Sequence, residues 1–341
     1  MIKEAIATIA GGKSLGFDEA AGVMAEIMGG EATEAQIAAF ITALRLKGET
    51  VDEIAGMAHT MRAKAVPVIT YAPVLDIVGT GGDNAKIINL STTAALIAAG
   101  AGIKVAKHGN RAITSHSGSA DVLEALGVKI DLGANEVAEC IERAGIGFML
   151  APVFHPAMKF AAGPRREIGI RTVFNILGPL TNPARAEYLV IGVAIPELGE
   201  KMAAVLKRLG TKHALVIHGS DGLDEISISG TSTIWEVNDS GVLPPYEISP
   251  EACGLKKTSL DDIRGGTPEE NARHLRRILE GEPGAKRNAV VMNAAAALIA
   301  GGKAPDFESG ARLAEEIIDS GQALGKLEEL IKISRELGQV K

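Results

Sequence analysis

Four short segments carry side chains whose types and spacing suit chemistry on a phosphorylated ligand. The first, Asp76-Ile77-Val78-Gly79-Thr80-Gly81-Gly82-Asp83, runs an apolar strand straight into three glycines. Without Cβ atoms those positions let successive backbone N–H groups converge on an anion, and a helix expected to start near Ser91 adds its positive end. The pattern is not a dinucleotide fingerprint, because Asn84 stands where the third glycine is due, and it is not a P-loop, because no Gly-Lys-Ser/Thr follows. The second segment, Lys107-His108-Gly109-Asn110-Arg111-Ala112-Ile113-Thr114-Ser115-His116-Ser117-Gly118-Ser119, packs two cations, an amide, four hydroxyls and two glycines into one connection. That set suits a polyanionic, hydroxylated ligand such as a sugar phosphate or diphosphate. His108 and His116 titrate in the neutral range, but general-base work is not expected of them.

The third segment joins Pro164-Arg165-Arg166-Glu167 to Arg171-Thr172-Val173-Phe174-Asn175 and a rigid turn, Gly178-Pro179-Leu180-Thr181-Asn182-Pro183. One arginine of the pair is suited to grip a carboxylate with its planar fork, and the other is expected to pair with Glu167 or a helix end. In the fourth segment, His218-Gly219-Ser220-Asp221-Gly222-Leu223-Asp224-Glu225, a strand ends in a glycine-rich turn bearing three carboxylates. Adjacent Asp224 and Glu225 suit Mg²⁺, a hard cation held jointly with substrate phosphates.

The elements that must position these residues follow from periodicity. Up to about residue 65 the chain reads as helix: Thr33 and Gln36 form a capping box ahead of Ile37, Phe40, Ile41 and Leu44, and Thr50 with Glu53 repeats the device. These apolar stripes are core or a surface for self-association. Pro67 and Pro73 bound an extended linker over 66–73. From Val74 the pattern becomes strand, glycine-rich turn, helix: strands over 74–78, 103–106, 128–130 and 146–150, with helices over 91–100, 119–126 and 135–144, the last capped by Asn135. Pro156, Pro164, Pro179 and Pro183 interrupt it around helical patches. Strands resume over 188–194, 214–218, 226–229 and 233–237, with a helix over 198–209. Three helical stretches, 269–279, 288–300 and 308–337 with a break near Gly321, finish the chain. This is an α/β alternation, a mainly parallel sheet with helices on its faces, and ligands then bind beyond the carboxyl ends of the strands.

Composition narrows the classes. The 341 residues are 46% hydrophobic, with 7 Phe, 3 Tyr and 1 Trp against 40 Gly, which excludes disorder, and the glycines have no collagen period. Glycine is about 12% of the chain against a usual ~7%. The length suggests about two domains. The net charge of −7 supplies no general field for nucleic acid or an anionic membrane. Cys140 and Cys253 lack partners at metal-ligand spacing and are expected to be idle thiols. The first residues, interrupted by Lys3 and Glu4, do not read as a signal peptide, and no apolar run reaches membrane-spanning length, so a soluble cytoplasmic protein is expected.

Together the GTGGD loop, the Asn89-x-Ser91-Thr92 step, the KHGNR and SGSADVLEALG stretch, HPAMK with GPRRE and GPLTNP, and HGSDGLDEIS resemble the anthranilate phosphoribosyltransferases over essentially the whole chain. That family is similar in fold to the pyrimidine nucleoside phosphorylases. The resemblance implies a small helical domain, residues 1–70 with 160–185 packing on it, hinged to a larger α/β domain of 71–159 and 186–341. It implies Mg²⁺-dependent transfer of phosphoribose from 5-phosphoribosyl 1-pyrophosphate to anthranilate, an early step of tryptophan biosynthesis, in a cytoplasmic homodimer built through the helical domain. Two Mg²⁺ per site are implied, one on Ser91 and Glu225, the other on Asp224 and Glu225.

By position, the phosphoribosyl pyrophosphate would meet Gly79, Gly82, Asp83, Ile87, Asn89, Leu90, Ser91, Thr92, Lys107, His108, Gly109, Asn110, Arg111, Ala112, Ile113, Thr114, Ser115 and Ser119. Anthranilate would meet Gly79, Asn110 and Arg165, with His108, Ala151, Pro152 and Met158 lining its access. Lys107, Asp224 and Glu225 would act electrostatically, and no side chain is implied as an acid or base. Four positions depart from the family: Ile87 replaces a usual Thr or Ser, Ile88 a Phe, Asn84 a Gly, and His116 a Lys or Arg. The departures predict weakened affinity for phosphoribosyl pyrophosphate. Two rival classes are a pyrimidine nucleoside phosphorylase-like enzyme, which should lack Arg165 and the Asp224-Glu225 pair, and a non-catalytic nucleic-acid-binding relative, whose basic groove the net charge disfavours.

Overall fold

The computed structural model describes residues 1–83, 85–112 and 117–339. Asn84, Ile113, Thr114, Ser115 and His116, all named above, lie outside them.

Four helices open the chain: α1 (Ile2–Ala10), α2 (Phe17–Gly29), α3 (Glu34–Lys47) and α4 (Val51–Lys64). Both expected capping boxes form. Thr33 accepts from the Gln36 N–H and Thr50 from the Glu53 N–H, while each position-three side chain returns a bond to its cap. Glu53 does more than cap, because its carboxylate also accepts from the Leu15 N–H and Lys47 Nζ and is fully buried. Several partners around one carboxylate explain how a charge survives in this core.

The α/β unit begins with β1 (Leu75–Gly79) and continues through α5 (Leu90–Gly100), β2 (Val105–Gly109), α6 (Ser119–Leu126), α7 (Ala134–Ala144) and β3 (Ile146–Leu150). After a crossing that holds α8 (Ala151–Phe154), α9 (Lys159–Ile168) and α10 (Phe174–Leu177), the sheet resumes with β4 (Tyr188–Gly192), α11 (Leu198–Arg208), β5 (His213–Gly219) and β6 (Ser232–Asn238). Two short strands, β7 (Gly241–Val242) and β8 (Tyr246–Ile248), precede α12 (Pro268–Leu279), α13 (Ala285–Ala300), α14 (Phe307–Asp319) and α15 (Gln322–Gln339).

The sheet order is β3-β2-β1-β4-β5-β6-β7, with β8 also paired to β6. The first five strands in that row are parallel, and β6, β7 and β8 run antiparallel to their neighbours. Successive strands step one way from β1 to β3 and the other way from β4, so the order reverses between β1 and β4. A crevice opens at the carboxyl ends of such a pair. Gly79 and Gly192 sit side by side there. Alanine-rich α5 and α13 lie almost wholly buried against one another and the sheet, with α15 packed on α5 and α7. Small side chains let these backbones approach closely, which accounts for an aliphatic core with few aromatic rings.

The crossing segments tie the two units together. In the linker, the Val66 N–H donates to the Phe154 carbonyl and the Val68 N–H to the Pro183 carbonyl, while Arg62 Nε donates to the Leu180 carbonyl. Helix α9 packs on α3 and α2, and α11 packs on α4, where Lys201 Nζ donates to the Glu49 carbonyl.

Three local expectations are corrected. Residues 128–130 are not a strand: Val128 and Ile130 are buried, but the Lys129 N–H donates to Ser334 Oγ instead of to a neighbouring strand. Residues 226–229 are not a strand either, because the Ile226 N–H goes to Asn293 Oδ1 and the Ser227 N–H to Ser232 Oγ. Helix α7 starts one residue earlier than expected, and its cap is Gly133, not Asn135. The two cysteines are free and buried, and no helix among the described residues is long and apolar enough to cross a membrane.

Candidate active site

The carboxyl ends of β1 and β4 form the floor of the site, and the turn after β5 forms its acidic wall. Strand β5 delivers Gly219, and Asp221 then organises the turn: its carboxylate accepts from Ser227 Oγ, Ser229 Oγ and the Leu223 N–H. This folds Asp224 back over the sheet. Asp224 Oδ2 accepts from the Gly81 N–H at 2.7 Å, and Glu225 Oε1 accepts from the Ser91 N–H at 3.3 Å. The acidic pair therefore reaches both the glycine loop and the first turn of α5.

Close approach makes this possible. A Cβ on Gly192 would lie 1.6 Å from the Asp224 carbonyl oxygen, and one on Gly79 would lie 2.1 Å from Asp224 Oδ2. The Gly192→Ala variant is therefore expected to push the Asp224 main chain outward by about an ångström, at an overpacking cost of about 1–3 kcal/mol. Displacements of that size at reacting groups cost about 10²-fold, so kcat/KM should fall about that much while the protein stays folded. Steady-state kinetics alongside a melting curve check it, and wild-type kcat/KM would remove Gly192 from the account.

The charges here are poorly matched. Burial, then Asp83, raises the Asp224 carboxyl to about 7, and burial, then Asp224, raises that of Glu225 to about 8. The nearest cation is Lys107, 2% exposed, whose Nζ donates to the Ile77 carbonyl at 2.6 Å and lies 3.5 Å from Ser91 Oγ. Burial lowers the Lys107 pKa, and Asp76 and Glu225 oppose that shift. Three crowded carboxylates with one recessed lysine are a donor set that a divalent cation suits. Among the described residues no three His, Cys, Asp or Glu side chains form a ready-made metal site. The pair thus fits a cation whose remaining ligands come from elsewhere, such as substrate phosphates.

Below Lys107 lies a carboxylate that motif reading passed over. Asp76 is wholly buried in β1, accepts from the His108 N–H at 3.1 Å and from Asn182 Nδ2 at 2.7 Å, and is lifted to about 6 by burial, with Lys107 holding it back. Asn182 Nδ2 also donates to the Ala106 carbonyl. The rigid turn at 178–183 is thereby fastened under the second motif. An acidic residue inside an otherwise apolar parallel strand was the available signal.

The second motif divides in two. His108 is buried, its ring 5.1 Å from that of His155, and burial followed by His155 lowers it to about 3. His108 bonds the Gly178 backbone and His155 that of Thr181, and the Nε2 atoms of both rings are buried without a hydrogen-bond partner. Neutral imidazoles with unused nitrogens suit an access wall better than proton transfer at neutral pH. Gly109 ends β2, and Ser119 Oγ donates to the Asn110 carbonyl at 3.4 Å. Arg111 does not face the glycine loop: its guanidinium donates to Asp121 and Glu124 on an exposed face, and the Ala112 N–H also bonds Asp121.

A belt from the C-terminal third completes the step after the glycines. Asn271 Nδ2 donates to Asn89 Oδ1, and Asn89 Nδ2 donates to the Ser117 carbonyl. The Gly265 N–H bonds the Lys86 carbonyl and the Ile88 N–H bonds that of Ile263, and Ile87 pairs with Arg264. Leu90 and Thr92 are buried in α5, the Thr92 hydroxyl without a partner. Asn271, Asn182, Asp76 and Gly192 were all missed by motif reading.

Arg165 lies in the last turn of α9. Its guanidinium lies 5.2 Å from the Phe174 ring centre, burial lowers its pKa, and it has no acidic partner among the described residues. Of the two alternatives expected for Arg166, an ion pair with Glu167 does not form among the described residues, and Arg166 sits in the last turn of α9, at the helix end; both side chains are exposed. Ala151 and Met158 are half-buried, and Pro152 is exposed.

Comparison with known proteins agrees with this geometry. The chain is matched by the model of the glycosyl transferase family, a/b domain, over residues 71–324, and by that of the family's helical bundle domain over residues 3–65. It is 60% identical to the anthranilate phosphoribosyltransferase of Dehalococcoides mccartyi over 99% of both chains, and 57% identical to that of Chloroflexus aggregans over 98% of both. The solved anthranilate phosphoribosyltransferase of Thermus thermophilus superposes with a TM-score of 0.92 at 46% identity, covering 97% of this chain and 99% of that one. The Saccharomyces cerevisiae enzyme, solved in complex with PRPP and Mg, gives a TM-score of 0.82 at 32% identity over 89% of this chain and 86% of that one. With such identity along its whole length and an acidic pair facing a glycine loop at the sheet's switch point, the chain belongs to the anthranilate phosphoribosyltransferases, glycosyltransferases of tryptophan biosynthesis that move phosphoribose from phosphoribosyl pyrophosphate to anthranilate.

Proposed function

We propose that the transfer runs at the β1/β4 crevice with the labour divided as follows. The Gly79–Gly82 loop, through its Gly82 N–H, and the Lys107 ammonium take the diphosphate, with Asp83, Asn89 to Thr92, the 107–115 segment and Ser119 around the phosphoribose. Ser91, Asp224 and Glu225 hold two Mg²⁺, which when bound neutralise the diphosphate oxygens and make pyrophosphate a better leaving group. As that group departs, positive charge grows on the ribose ring, and fixed dipoles in a dry crevice stabilise it without reorganising. Arg165 and Asn110 orient anthranilate by its carboxylate, Gly79 lies beside it, and His108, Ala151, Pro152 and Met158 line its access. Its amine is uncharged at neutral pH and needs little base help, so positioning dominates. Residues 1–70 with 160–185 move against 71–159 with 186–341 to close the crevice, a reading supported by α9 packing on α3. The exposed Leu46 on α3 and the partly exposed Phe160 on α9 support a homodimer through the helical unit. The free thiols accord with a cytoplasmic setting.

The observation that supports this reading most is the meeting of Asp83, Asp224 and Glu225 at the glycine loop, with Lys107 facing Glu225. Loss of anthranilate fluorescence that requires both phosphoribosyl pyrophosphate and Mg²⁺ tests it. Phosphate-dependent cleavage of a pyrimidine nucleoside, or DNA retention on a gel, in its place would favour one of the rival classes.

Ile87 offers the loop a side chain that cannot donate to phosphate. A hydrogen bond to a charged group contributes about 1.5–3 kcal/mol, so Ile87→Thr is expected to lower the KM for phosphoribosyl pyrophosphate about tenfold. An unchanged KM in initial-rate measurements would show that the isoleucine is no handicap.

A further inference from the structure

Arg171 has no place in the roles assigned above. It follows α9 after Gly169, and its Nη1 and Nη2 both donate to the Gly81 carbonyl at 3.0 Å. The N–H of the same glycine donates to Asp224 Oδ2. One residue of the phosphate loop is thus gripped from both sides, by the acidic pair and by an arginine from the segment that packs on the helical unit. Room for the guanidinium exists only because residue 82 is glycine, with φ +85° and a would-be Cβ 1.5 Å from Arg171 Nη1. Structural arginines are commonly paired with a carboxylate. Arg171 spends its fork on one neutral carbonyl, and among the described residues it has no ion-pair partner. Its charge stands beside a loop suited to a diphosphate, with no carboxylate in direct contact among the described residues.

We propose that Arg171 is a positioning residue for phosphoribosyl pyrophosphate, which aims the Gly82 N–H by holding the peptide that joins Gly81 to Gly82 and makes that aim depend on the approach of the helical unit. The proposal rests on the reading of the site given above. It assigns Arg171 to the diphosphate and not to anthranilate, which separates its signature from that of Arg165.

The test uses the full-length protein with Mg²⁺ and the variants Arg171→Gln and Arg171→Lys. Losing the fork is expected to raise the KM for phosphoribosyl pyrophosphate at least about tenfold in Arg171→Gln. The KM for anthranilate should stay within about twofold, as for a group that serves one substrate only. Arg171→Lys, with one donor able to reach the carbonyl, should fall between. The rise in Tm on adding phosphoribosyl pyrophosphate with Mg²⁺ should shrink in the same order. An unchanged KM for phosphoribosyl pyrophosphate, or equal rises in both KM values, overturns the proposal. If Arg171→Gln does not fold, Arg171→Lys alone decides, since wild-type KM there is equally fatal. If the wild-type protein consumes no anthranilate, the activity is misassigned, and the Tm shift still judges Arg171.

Discussion

The Asp224→Asn/Glu225→Gln double variant is expected to lose at least about 10³-fold in kcat, the scale on which removing preorganised charge at a reacting centre is felt. The substitutions are nearly isosteric. An amide oxygen at each position can still accept from the Gly81 and Ser91 N–H groups, so the turn after β5 keeps its backbone partners. What disappears is negative charge, and with it the means of holding a divalent cation against a diphosphate. Stability moves the other way. Burial lifts the two carboxyls to about 7 and about 8, above their unfolded values, so ionising them in the folded protein costs stability as pH rises through those values. At pH 8 without Mg²⁺ the double variant should therefore melt no lower than wild type. Lost turnover with an unchanged or higher Tm is the expected pair of results. Near-wild-type kcat in the fluorescence assay would remove the acidic pair from the reaction.

Lys107→Met is expected to damage both turnover and stability. The methionine matches the lysine in length but cannot donate to the Ile77 carbonyl, and it leaves Asp76 and Glu225 without their cation. Losing a buried hydrogen bond from a charged donor costs about 1.5–3 kcal/mol. The cost depends on pH. Asp76 already titrates at about 6 with Lys107 holding it down, so without the lysine its pKa rises further. A carboxyl raised in the folded state is harmless while protonated and costly once ionised, so the deficit should be small near pH 5 and grow toward pH 8. Denaturant titrations at the two pH values measure it. A deficit independent of pH would mean that lost packing dominates, and a wild-type kcat would take the ammonium out of the chemistry.

Much of this architecture was legible because local rules and tertiary structure agree. Thr33 and Thr50 announce their helices by the reciprocal bonds they make, and the apolar strands ending in glycine read as parallel strands feeding a crevice. The failures share a cause. At 128–130 and 226–229 buried Val128, Ile130, Ile226 and Ile228 alternate with polar residues, as in strands, but the backbone partners are side chains, Ser334, Asn293 and Ser232, and not a neighbouring strand. Pattern reports which side chains are buried and is silent on where an N–H goes. The site divides along the same line. Residues that act through their own type, such as Asp224, Glu225 and Lys107, stand out, whereas Arg171 and Gly192 matter through a carbonyl they touch or a space they leave. Arg111 shows the converse, a residue of suggestive type whose neighbours on α6 claim it.

The belt from the C-terminal third bears on how the molecule comes into being. The step at 86–89 closes only when residues 263–265 and Asn271 lie against it. Those partners leave the ribosome about half a chain after the step they fasten. A nascent or truncated polypeptide that stops short of Asn271 lacks a finished pocket, since contacts so distant in sequence form late. Competence to engage the sugar diphosphate is thus acquired late in folding, and ligand binding reports that the chain has been made and folded at least as far as Asn271.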